Sequence, residues 1–158
     1  MEAPAKKLNS KSSEQSTLAI QLSSLVLILL FSYTALDKLI RWQESRNAFH
    51  NQTFPSELAE VLTFAVPITE LLIVGLLLFT LTRWWGYLAS ILLLTIFITY
   101  VGLIWVGAFP RVPCNCAGII DSLGWGAHFA LNLILIGLAT VGLKQEQRKK
   151  PKADASGF

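Results

Sequence analysis

Charged positions in this chain are confined to short clusters, with long apolar runs between them. No Asp, Glu, Lys or Arg occurs from Leu18 to Leu36, from Trp84 to Pro110 or from Ser122 to Leu143, and from Val61 to Leu81 there is only Glu70. A helix needs roughly 20 apolar residues to cross a bilayer core, and each run reaches about that length. The runs are continuous rather than alternating in segments of about ten residues, so they predict helices and not the strands of a transmembrane barrel. Four spans follow, at about 18–36, 59–81, 85–109 and 123–143, between a polar segment 1–17 and a basic tail 144–158. The expected fold is all-α membrane, a four-transmembrane-helix bundle.

The ends of the spans carry the matching signals. Trp84, Trp85, Trp105 and Trp125 stand where interfacial aromatics belong. Pro110 and Pro113 are expected to stop the third helix, and Ser122 to cap the fourth. Nine Lys and Arg (Lys6, Lys7, Lys11, Arg83, Lys144, Arg148, Lys149, Lys150 and Lys152) fall on one side and four (Lys38, Arg41, Arg46 and Arg111) on the other. Positive charge stays inside, so both termini are expected to be cytoplasmic, with the connections at about 37–57 and 109–123 facing outward. The first run lacks a small-x-small cleavage site and reads as a retained anchor. The tail reads as a topology anchor rather than a site for anionic lipid.

Composition narrows the partners. Of 158 residues, 53% are hydrophobic and 15% charged, against roughly 25% charged in soluble domains. Mean hydropathy is +0.54. The net charge of +3 belongs to residues flanking the spans, so no nucleic-acid partner is implied. The partner that the pattern demands is the lipid bilayer. Two cysteines are too few for a secreted disulfide scaffold.

Those two cysteines are the sharpest chemical feature. They stand in Pro113-Cys114-Asn115-Cys116-Ala117-Gly118, within the outward connection. At this spacing two Cα atoms can approach within the roughly 4.4–6.8 Å that a disulfide needs. The closed loop would be very short, so a bridge there stabilises little and is of the strained, exposed type that exchanges readily. Gly118 permits a tight turn, and a following helix N-terminus or Arg111 would favour the thiolate. Redox exchange is the leading role. The alternatives are a structural or incidental bridge, or zinc or copper held by Cys114, Cys116 and His128. The latter lacks a fourth ligand and the usual spacing, so no metal site is assigned.

The remaining candidates are polar groups in apolar surroundings. Glu70 falls near mid-span, one turn after Pro67, and is either a proton or ligand position or a protonated acid bonded across to Tyr100 or Asn132. His128 and Asn132 lie four apart on one helix face, suited to proton transfer or to packing between helices. Asp37 and Lys38 close the first span as an interfacial charge cluster, with Arg41 one turn on from Asp37.

Ala35-Leu36-Asp37-Lys38-Leu39, Phe49, Pro67-Ile68-Thr69-Glu70, Cys114-Asn115-Cys116-Ala117-Gly118, and a last span with His128 and Asn132 form a recognisable series. In these the chain resembles the MauE branch of the MauE/DoxX-like redox-associated membrane proteins, over roughly Leu18 to Leu143. An aromatic residue often follows the second cysteine in that family, where this chain has Ala117. The resemblance implies a multi-pass four-helix protein of the bacterial inner membrane, serving maturation of a periplasmic, disulfide-rich dehydrogenase subunit in methylamine utilisation. The expected function is thiol–disulfide exchange through Cys114 and Cys116 with a periplasmic thiol protein or thioredoxin-like partner. The electrons would pass to or from a second station such as a membrane quinone, in a pocket lined by Glu70, Tyr100, His128 and Asn132. The rival expectation is a non-enzymatic assembly subunit or small-solute carrier centred on Glu70.

Overall fold

Ile20, Ser23, Leu27, Phe31, Ala35 and Lys38 recur at three- and four-residue steps and are all buried, as the inner face of a helix requires. The same periodicity marks Ala59, Thr63, Val66, Glu70, Ile73 and Leu77, and again Tyr87, Ser90, Leu94, Ile98, Val101 and Ile104. The computed structural model describes residues 3–52, 55–108 and 124–154. Within them lie five helices and no strand: α1 Ala3–Ile40, α2 Trp42–His50, α3 Ser56–Leu78, α4 Arg83–Trp105 and α5 Trp125–Asp154.

Four stretches, Glu14–Ile40, Ser56–Leu78, Arg83–Trp105 and Gly126–Arg148, are long and apolar enough to cross a membrane. α1 packs against α3 and α5, and α4 against α5 and α3, so the helices close a ring in the order α1, α3, α4, α5. Leu22, Leu29, Leu72, Leu92 and Ile134 are each more than half exposed on its outside. Apolar surface on this scale around every helix has lipid as its solvent.

The α3–α4 hairpin is closed by side chains. The Thr82 hydroxyl donates to the Leu76 carbonyl at 2.9 Å, and Arg83 Nε donates to the Leu77 carbonyl at 3.2 Å. These carbonyls lack partners within α3, and a cation at a helix C-terminus is also favoured by the dipole. At the same end Tyr87, fully buried, crosses the ring to α1. Its hydroxyl lies 2.7 Å from Ser23 Oγ and donates to the Ile20 carbonyl at 2.8 Å. The ring of Tyr87 fits only because α5 offers Gly142 there, where a Cβ would overlap the aromatic ring and come within 2.7 Å of Ser23 Oγ. Tyr87→Phe removes the hydroxyl and keeps the ring, so it should cost about 1 kcal/mol, measurable as a lowered unfolding midpoint in detergent.

Several boundaries differ from the sequence reading. α4 ends at Trp105, ahead of both prolines. Gly107 takes φ 72°, its N–H reaches the Ile104 carbonyl, and the Ala108 N–H reaches the Leu103 carbonyl at 2.9 Å. This paired closure with a left-handed glycine ends the helix before Pro110 is reached. The connection expected over about 37–57 is largely helical: α1 continues to Ile40, and α2 folds onto the first half of α3 with the Trp42 ring tilted against Phe64 at 4.7 Å. α1 is also longer than its apolar run, since the helix begins at Ala3.

Candidate functional site

The strongest polar feature joins α1 to α3. Lys38 Nζ donates to both carboxylate oxygens of Glu70, at 3.0 and 3.2 Å, and to the Thr34 carbonyl at 3.2 Å. Glu70 is 2% exposed and Lys38 8%. The geometry follows from helix direction. Side chains lean toward the N-terminus of their own helix, so Lys38 reaches back one turn along α1 while Glu70 leans the opposite way along α3. The charges therefore meet about 16 Å along α1 from the Ser23 layer, well inside the apolar part of the bundle.

This arrangement corrects two sequence expectations. Glu70 is bonded to Lys38, not to Tyr100 or Asn132. Asp37 and Lys38 do not act as one interfacial cluster, because neighbouring residues on a helix point about 100° apart. Lys38 turns into the bundle, whereas Asp37 faces Arg41 at 3.4 Å on the helix surface. Sequence reasoning missed the pair because 32 residues separate its members. The available signal was that each stood on the apolar face of its own helix.

The other candidates take separate partners. The Tyr100 hydroxyl on α4 donates to Gln52 Oε1, and Gln52 Nε2 donates to the Ala48 carbonyl at 3.0 Å, so the end of α2 is tied to α4. Gln52 was not foreseen, yet it is only 7% exposed. Asn132, also buried, donates to the His128 carbonyl at 2.9 Å along α5. His128 is half-buried one turn into that helix. At the exposed seam between α2 and α3, Arg46 Nε and His50 Nε2 both lie 2.9 Å from Glu60 Oε2.

The buried groups thus divide by depth. Ser23, Ser24, Ser90 and Tyr87 supply only hydroxyls in the half near the termini, while Lys38, Gln52 and Asn132 carry charge and amides in the other half. Helix ends Trp105 and Trp125 bound the α4–α5 connection at that second end, where Trp105 packs on Phe129 at 5.7 Å. Cys114 and Cys116, with Pro110, Pro113 and Ser122, lie outside the described residues. Among the described residues no group of three His, Cys, Asp or Glu comes together as a metal site would require.

Four apolar helices closed around a sparsely charged interior define a multi-pass membrane protein. Residues 16–145 match the family described as methylamine utilisation protein MauE. The match takes in all four candidate spans but for a few residues at either end, and the chain belongs to that family. No curated protein and no solved structure matches it.

Proposed function

We propose that this protein is a thiol–disulfide redox protein of the bacterial inner membrane. Cys114 and Cys116 exchange disulfides with a periplasmic thiol protein or thioredoxin-like partner, in maturation of a disulfide-containing enzyme such as methylamine dehydrogenase. One observation carries this reading. The only cysteines of the chain stand two apart in the connection between Ala108 and Gly124, which joins helix ends on the side away from both termini. With the termini cytoplasmic, as the Lys and Arg distribution favours, that side is the oxidising one.

Written in the oxidising direction, a partner thiolate attacks one sulfur of the Cys114–Cys116 disulfide and forms a mixed disulfide, releasing the other sulfur as a thiolate. The partner's second thiol resolves it. The partner leaves with a new disulfide, and two electrons and two protons have passed to Cys114 and Cys116. Restoring the disulfide would require an acceptor of two electrons and two protons, chemistry that a membrane quinone would supply if one were bound. Against the rival reading of a carrier centred on Glu70 stands Lys38, whose ammonium already occupies both carboxylate oxygens.

The test is the thiol state in intact cells, by labelling with a membrane-impermeant maleimide before and after mild reduction. The expected result is a disulfide that becomes labelled from outside once reduced. Free thiols that react only after the membrane is breached would reverse the topology and overturn the proposal.

A further inference from the structure

We infer that Lys38 and Glu70 are a matched pair through which α1 and α3 recognise one another inside the membrane, and not a site that carries protons or solutes. The inference does not depend on the cysteines.

The first ground is saturation. An ammonium has three protons to donate, and Lys38 has three acceptors, at 3.0 and 3.2 Å on Glu70 and 3.2 Å on the Thr34 carbonyl. A solute or cation would have to displace that ammonium from a carboxylate that is 2% exposed. Such displacement leaves two buried charges without partners, the costliest arrangement available to them.

The second ground is selectivity. The runs Leu18–Leu36, Trp84–Pro110 and Ser122–Leu143 contain no charged residue, and Glu70 is the only one from Val61 to Leu81. Within the apolar runs, then, Lys38 has a single carboxylate to meet. Lys38 turned toward α4 or α5 instead of α3 would bring a cation into the bundle with no anion opposite it in their apolar runs. Between helices in lipid there is no hydrophobic drive to choose a neighbour, because lipid tails are as apolar as leucine. A buried charge pair supplies the choice, and a slip of one turn along either helix breaks it. The pair thus sets both the α1–α3 neighbour relation and its register.

The test is a mutant cycle on the full-length protein, read as thermal midpoint in detergent and as level in the membrane. Glu70→Gln and Lys38→Met, singly, should each lower the midpoint by roughly 6 °C or more and reduce accumulation. The double variant Lys38→Met/Glu70→Met, and separately the exchange Lys38→Glu/Glu70→Lys, should recover at least half of that loss. Where a single variant is too unstable to purify, its membrane level against the double variant gives the same comparison. A Glu70→Gln protein as stable as wild type, or a double variant no better than the worse single, would overturn the pair as a recognition device. A stable double variant that nonetheless loses all cellular function would overturn the denial of a carrier role. Repeating the cycle with Cys114→Ser/Cys116→Ser should give the same pattern, which keeps its outcome separate from that of the thiol proposal.

Discussion

A Cys114→Ser/Cys116→Ser protein is expected to accumulate in the membrane at the wild-type level and to lose disulfide exchange with its periplasmic partner almost completely. Exchange requires a thiolate to attack and a thiolate to leave, and serine provides neither at neutral pH, so residual activity should fall to about 1% or less. Stability should barely change, because a loop as short as that between adjacent-but-one cysteines contributes little when closed. The two measurements, membrane level and oxidation of a dithiol substrate by membrane vesicles, separate the expected loss of chemistry from a loss of folding. In the single variant Cys114→Ser the Cys116 thiolate can attack the disulfide of the oxidised partner but has no neighbouring thiol to release it, so the partner should be held as a mixed disulfide if Cys116 is the sulfur that bonds it, and left untrapped if Cys114 is. Substantial exchange by the double variant would remove the redox proposal.

A large effect on stability is also expected from a position with no functional group. Gly142→Ala places a methyl where the Tyr87 ring and Ser23 Oγ already sit. Tyr87 cannot yield, since it is fully buried and its hydroxyl is held by Ser23 and the Ile20 carbonyl. Overpacking of this kind costs about 1–3 kcal/mol, and here it would also pull apart the contact that ties α4 and α5 to α1. Gly75 and Gly137 provide the internal control: a Cβ at either has no atom within 4 Å to meet. Alanine there should be neutral, or stabilising by up to about 1 kcal/mol through helix propensity. Melting curves of the three variants in one detergent decide the matter, and equal midpoints would show that the Tyr87 crossing is not tight.

Both effects bear on what was legible beforehand. The cysteine pair is visible in one dimension because its meaning lies in a spacing of two and a place between spans. Gly142 is not, because nothing near it distinguishes it from Gly137, five residues earlier and on the lipid side. α2 was within reach: Trp42 and Phe49 stand seven apart, the repeat of an amphipathic helix face. Nine residues with a single buried side chain, Ser45, are nonetheless a faint signal. The early stop of α4 was masked by Pro110 and Pro113, which pointed to a boundary that the Gly107 closure had already made.

The sequence by itself determined how many helices cross the membrane and roughly where, because the partition of a 20-residue run between water and lipid depends on that run alone. It also singled out Glu70 as a charge too costly to lie idle, since the cost of a charge in an apolar run is local as well, whereas Lys38, just beyond its run, read as part of an interfacial cluster. Only the tertiary structure decided that these two belong together, that Lys38 and Asp37 part company, and that Tyr87 reaches Ser23 over Gly142. Those outcomes depend on which helices are neighbours, how each is rotated about its axis and how far one is shifted against the next. No single stretch of chain contains that information. It arises when four similar apolar cylinders must choose an arrangement that leaves no buried charge unpaired and no side chain overlapping another.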